Sequence, residues 1–113
     1  MIKKQIYCTG RGQGKTKWLV EQMAKEYENG VPCYYAGSEM SFSHIQLMWE
    51  NIFHKKCPIK LLRREASFER NSAYFTDNFF QQMQYWHDVV NNDIKGYGGT
   101  WYITVDREDF VNV

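Results

Sequence analysis

A short glycine-rich run near the start of the chain, Cys8-Thr9-Gly10-Arg11-Gly12-Gln13-Gly14-Lys15-Thr16, constrains the fold more than any other stretch. Glycines at alternate positions let a loop bend through positive φ and leave no side chain between a backbone N–H and an incoming anion. The flanks give that loop a place in a fold. Ile2 to Cys8, with Ile6, Tyr7 and Cys8 following a basic start, predicts a short buried strand. From Lys15 to Asn29 the apolar residues Leu19, Val20, Met23, Ala24 and Tyr27 recur at helical spacing, and Gly30 with Pro32 supplies the stop. A strand, a glycine loop and a helix in that order aim the helix N-terminus and its free N–H groups at whatever the loop encloses. A lysine and a hydroxyl at the first helical positions suit a phosphate: Lys15 as a point charge on terminal phosphates, Thr16 as an oxygen ligand for Mg²⁺.

Thr9 to Thr16 resembles the Walker A loop of P-loop NTPases, in the G-G-R-G-x-G-K-[ST] form of phage terminase ATPases and related phage proteins. Thr9 replaces the first glycine of the spacing G-x-x-x-x-G-K-[ST], with Gly10 beside it. The resemblance implies an α/β three-layer sandwich, with a mostly parallel sheet of about four to five strands flanked by helices. It also implies ATP or GTP bound with Mg²⁺, the nucleotide held by Thr9, Gly10, Arg11, Gly12, Gln13, Gly14, Lys15 and Thr16, and a phage or mobile-element source. The catalytic residues it implies are Lys15 and a Walker B acid.

The rest of the chain alternates in the order such a fold needs. Val31 to Gly37 is a nearly continuous apolar run and predicts a second strand. Ser38 and Ser41 are candidate caps for a helix bearing Phe42, Ile45, Met48, Trp49, Ile52 and Phe53, with Pro58 as its limit. Ser72 to Asn78 predicts a strand ending in Asp77, the candidate Walker B acid and, with Thr16, the candidate Mg²⁺ ligand. Asp77 or Asn78 can equally cap the next helix, which carries Phe79, Phe80, Met83, Trp86 and Val90. Hydrolytic relatives place a glutamate after the aspartate. Here Asn78 stands there, and an amide cannot take a proton from water, so slow turnover is expected. A Gly96 to Gly99 turn leads into Thr100 to Asp106, the strongest strand by propensity. Asp106 rivals Asp77 as the Walker B acid, and Thr104 or Asp106 is placed as a polar sensor by the same resemblance.

Composition bounds the remainder. A chain of 113 residues, 43% hydrophobic, predicts a single domain over 1–113 with apolar material for one core. No run is long enough to span a membrane and no signal-peptide core follows the basic start, so a cytoplasmic address is expected, the host cytoplasm for a phage protein. Cys8, Cys33 and Cys57 are odd in number and far apart, unlike a disulfide framework or zinc knuckle. Two of them are expected on strands as small buried residues. A net charge of +1 gives no global pull on nucleic acid, leaving the basic segment 54–70, with His54, Lys55, Lys56, Lys60, Arg63, Arg64 and Arg70, as the place for such a contact. Four tryptophans in so short a chain point to an exposed aromatic patch, and the short core of the resemblance to a homo-oligomer or protein partner. The functional alternative is a degenerate, non-catalytic P-loop protein serving as a protein-binding or inhibitory module. A small nucleotide kinase is the third reading.

Overall fold

A computed structural model describes residues 2–10, 12, 14–63, 69–93 and 97–108. Arg11 and Gln13 of the glycine loop, Arg64 and Glu65 of the basic segment, Gly96 and Asp109 lie outside those residues. The elements follow as β1 (Lys3–Thr9), α1 (Lys15–Glu28), β2 (Cys33–Tyr35), α2 (Glu39–Phe53), β3 (Lys60–Leu61), β4 (Ser72–Thr76), α3 (Phe79–Asp88) and β5 (Gly99–Asp106). A π-helical turn, Val89–Asp93, continues α3.

All five strands are parallel and lie side by side in the order β1-β5-β4-β2-β3. The last strand is thus inserted between the first and the fourth, with Thr9 level with Asp106 and Thr76 level with Ile103. Strand alternation sorts the side chains into two layers. Cys33, Tyr35, Ala73, Phe75 and Tyr102 face α1 and α2, where they pack with Leu19, Val20, Met23, Ile45 and Trp49. Tyr34, Tyr74, Trp101, Ile103 and Val105 face the other way and are covered by Val89 and Val90, with Phe79 and Trp86 at their margin. The apolar runs in the sequence reflect this burial on both faces.

Local chemistry explains the boundaries. α1 ends in a Schellman motif: Val31 N–H reaches Glu26 O at 3.1 Å and Gly30 N–H reaches Tyr27 O at 3.0 Å, with Gly30 at φ 78. Ser38 caps α2, its hydroxyl accepting Ser41 N–H at 3.1 Å. That helix stops at Phe53, short of Pro58, because His54 turns left-handed at φ 57. A Cβ at Gly99 would lie 2.0 Å from the carbonyl oxygen of Ser72, so the close approach of β5 to β4 requires glycine at that position.

Several expectations change. β1 is an edge strand, largely exposed, because only β5 pairs with it; Lys3 and Lys4 suit such an edge. β3 was not foreseen, since two residues in a basic stretch leave no periodicity to read. The tryptophans do not form an exposed patch: Trp101 is wholly buried, Trp49 nearly so, and Trp18 and Trp86 are half-buried. Of the cysteines, Cys33 is buried on β2, Cys57 is buried in a loop, and Cys8 is exposed on β1. Among the described residues no helix is long and apolar enough to cross a membrane.

Candidate functional site

The two-layer alternation also decides which polar side chains meet. Asp77 follows β4 in phase with Ala73 and Phe75, and Thr104 and Asp106 are in phase with Tyr102, so all three turn toward the α1 side of the sheet. The glycine loop ends at the same place. Gly14, left-handed at φ 84, is the N-cap of α1 and accepts the Trp18 N–H on its carbonyl at 3.0 Å. Lys15 and Thr16 therefore begin the helix directly over the C-terminal ends of β4 and β5.

Two contacts join the loop to the strands. The Thr16 hydroxyl donates to Asp77 Oδ2 at 2.7 Å, across 61 positions of sequence. Lys15 Nζ lies 2.5 Å from Asp106 Oδ1, both side chains almost entirely buried. Asp77 is held on further sides: its Oδ1 accepts the Thr104 hydroxyl, and its backbone N–H donates to the Tyr35 hydroxyl at 3.2 Å. Thr104 in turn accepts the Asn78 N–H at 2.9 Å. Tyr35 pairs through its hydroxyl with Ser41 in the first turn of α2. One residue back, the Thr76 hydroxyl donates to Ala36 O at 2.8 Å and accepts from Trp101 Nε1 at 3.0 Å, fixing the end of β4 from the other face.

The cluster is buried: Lys15, Thr76, Asp77, Thr104 and Asp106 are each exposed by 9% or less. Buried charges need partners: Lys15 faces Asp106, and Asp77 accepts two threonine hydroxyls. The Tyr35 hydroxyl is pushed up to about 12, chiefly by burial, so it stays a neutral donor and acceptor at ordinary pH.

Of the residues the sequence singled out, Lys15, Thr16, Asp77, Thr104 and Asp106 come together. Thr9 and Gly10 lie at the exit of β1, partly buried, with Thr9 beside Asp106 in the sheet register; Gly12 is left-handed at φ 74. Of the two aspartates that competed as the Walker B acid, Asp77 contacts Thr16 and Asp106 contacts Lys15. Asp77 is not the helix cap. Asn78 is at that position, with φ 51 and no side-chain capping bond. Tyr35 and Ser41 were missed. The available signal was a tyrosine inside an apolar strand, whose buried hydroxyl must find a partner.

The first part of the basic segment lies away from this cluster. Lys55 and Lys56 border a groove of about 400 Å³ with Tyr27, Trp49, Phe53 and Pro58, at the C-terminal ends of α1 and α2. Lys15 is at the opposite end of α1, about 20 Å away for a helix of this length. Arg63 sits 3.9 Å from Glu39, both exposed. Among the described residues no three His, Cys, Asp or Glu side chains gather as a metal site. A hydroxyl and one carboxylate, as at Thr16 and Asp77, are nevertheless hard oxygen ligands of the kind Mg²⁺ takes alongside waters and phosphate oxygens. No family model, curated protein or solved structure matches the chain.

Proposed function

We propose that this cluster binds ATP or GTP with Mg²⁺ and that the protein hydrolyses the nucleotide slowly. The observation that carries the reading is the paired contact at the head of α1, Thr16 with Asp77 and Lys15 with Asp106. A threonine hydroxyl and a carboxylate already within hydrogen-bond distance need little rearrangement to share one small cation. The backbone of the loop, with Gly12 and Gly14 left-handed, and the N-terminus of α1 favour an anion in front of them. The strand order also supports the reading, because it puts the strand bearing Thr104 and Asp106 between the loop strand and the strand bearing Asp77. That is the arrangement in which a Walker B acid and a polar sensor both reach a terminal phosphate.

Mg²⁺, when bound, would supply charge neutralisation at the phosphates. Thr16 and Asp77 would hold the ion, and Thr104 and Tyr35 position Asp77. Lys15 leaves or shares Asp106 to meet the phosphate, so Asp106 serves as its resting counter-ion. Asn78 supplies no carboxylate to accept a proton from water, which limits the rate. The same residue favours the second reading, a non-catalytic module that binds nucleotide or a protein partner without turnover.

Calorimetric titration with ATPγS and GTPγS plus Mg²⁺, beside a Lys15→Ala variant, tests the proposal. Saturable binding that falls at least about a hundredfold in Lys15→Ala is expected, since a charge-assisted phosphate contact is lost. Binding that survives unchanged in the variant overturns the site. Binding without phosphate release, followed by a coupled phosphate assay with ATP and GTP, selects the non-catalytic module.

A further inference from the structure

The two edges of the sheet differ in kind. β3 is two residues long, whereas β1 runs for seven and pairs with β5 alone, in unbroken register from Lys3 level with Thr100 to Thr9 level with Asp106. Among the described residues no strand lies on the outer side of β1. Every second residue of such a strand turns its N–H and C=O away from the sheet. The free side of β1 is therefore a row of donors and acceptors spaced to match another extended chain.

The usual protections of an edge cover only part of this one. They are shortness, proline, a bulge, charge, or a covering helix or loop. β1 contains no proline, its register has no bulge, and only Lys3 and Lys4 are charged, which leaves Gln5 to Thr9 uncharged. One face of that half is also uncovered. Lys4, Ile6 and Cys8 turn to the same face as their register partners Trp101, Ile103 and Val105. Those three partners are buried in the α3 layer, while Ile6 is 58% exposed and Cys8 is exposed. On the other face the strand is anchored, since Tyr7 stacks on Trp18 of α1 with ring centroids 4.8 Å apart.

We propose that β1 is a dimerisation edge, at which two copies of this chain pair their first strands antiparallel about a twofold axis at Ile6 and join two five-stranded sheets into one. Charge selects the direction. A parallel pair in register sets Lys3 and Lys4 against their own copies, and like charges directly opposite are destabilising. The antiparallel pair instead sets Lys3 across from Thr9, Lys4 across from Cys8, Gln5 across from Tyr7, and Ile6 across from its own copy. Residues opposite each other share a face, so the two exposed isoleucines cover each other, and the aliphatic stem of Lys4 lies along Cys8. A strand that complements itself in this way favours a second copy over an unrelated strand, because one patch serves both sides of the axis. The pairing holds the strand that leads into the glycine loop from both sides, and it stands whether or not the buried cluster binds nucleotide.

Sedimentation velocity of the full chain without nucleotide, from about 1 µM to about 0.5 mM, tests the proposal. A reversible equilibrium between monomer and dimer is expected, with a Kd on the order of tens of micromolar, the weak class that a small interface gives. Ile6→Lys, at an exposed position, should weaken it at least about tenfold by placing like charges across the axis, with the circular dichroism spectrum unchanged. In a Cys8→Ser background, Ile6→Cys should form a covalent dimer under mild oxidant, because facing residues of an antiparallel pair lie about 4.5–5.5 Å apart at Cα, within disulfide reach. Gln5→Cys in the same background should not, since its copy lies two positions out of register. A chain that stays monomeric throughout the concentration range overturns the proposal. A dimer undiminished in Ile6→Lys overturns it as well, and so does failure of Ile6→Cys to cross-link.

Discussion

At the scale of single residues, the candidate site is a set of buried polar groups whose pairing bears on stability and on the function proposed for them. Lys15 and Asp106 are each almost fully buried, so removing one partner strands the other. Asp106→Asn is expected to cost about 3 kcal/mol in denaturant unfolding, and Lys15→Met combined with Asp106→Asn to recover part of that loss while remaining unable to bind triphosphate. Recovery of binding in the double variant contradicts the role of Lys15. Tyr35 gives a pH signature. Burial raises its hydroxyl to about 12, as it does that of Tyr74, so the folded state favours the neutral form. Unfolded tyrosines ionise near 10, so between about pH 10 and 12 the unfolded chain binds fewer protons and stability falls as pH rises. Below about pH 10 this contribution is fully present. Melting temperatures measured from pH 8 to 12 should show that decline, and it should be shallower in Tyr35→Phe and Tyr74→Phe.

At the scale of elements, the parts with a clear period or a clear punctuation mark were legible, and the parts set by neighbours were not. Leu19, Val20 and Met23 announced α1, and Gly30 its end, because the Schellman turn needs a left-handed residue there. Ser38 and Ser41 bracketed the start of α2, which Ser38 caps, whereas Pro58 misplaced its end, since the left-handed turn at His54 is a tertiary choice that no local preference demands. β1 reads as apolar at Ile6 and Cys8, yet whether a strand is central or at the edge depends on partners that lie far along the chain. The site follows the same rule. Lys15 and Thr16 were visible in their spacing and Asp77 in its place after a strand, but Tyr35 gave only the weak signal of a hydroxyl in an apolar run. The glycine turn before β5 was legible as a turn, while its physical necessity appears only when Ser72 O is seen against Gly99. Gly99→Ala, with a clash to backbone and a φ of 112, should destabilise by about 3 kcal/mol or more. Thermal or urea unfolding measures it, and a loss under 1 kcal/mol would mean that β5 can shift away from β4 at little cost.

At the scale of the whole molecule, one insertion organises everything: β5 lies between β1 and β4, so the loop strand reaches the rest of the sheet only through residues 99–106. A chain ending at residue 98 should therefore lose more than its last strand. It forfeits the pairing partner of β1, the Trp101, Ile103 and Val105 part of the core, and both Thr104 and Asp106. Loss of cooperative unfolding and of triphosphate binding is expected, read by circular dichroism and calorimetry. A truncated chain that still melts cooperatively would show that the α1 and α2 layer is self-sufficient.

The same insertion sets the timing of competence during synthesis. The glycine loop is translated well before β5, but its strand lacks the neighbour it has in the sheet, and Lys15 lacks Asp106, until β5 has been made. An interrupted or truncated product would therefore carry the loop sequence without the buried cluster, and under the proposed function nucleotide would stabilise only chains that had been made through to their fifth strand.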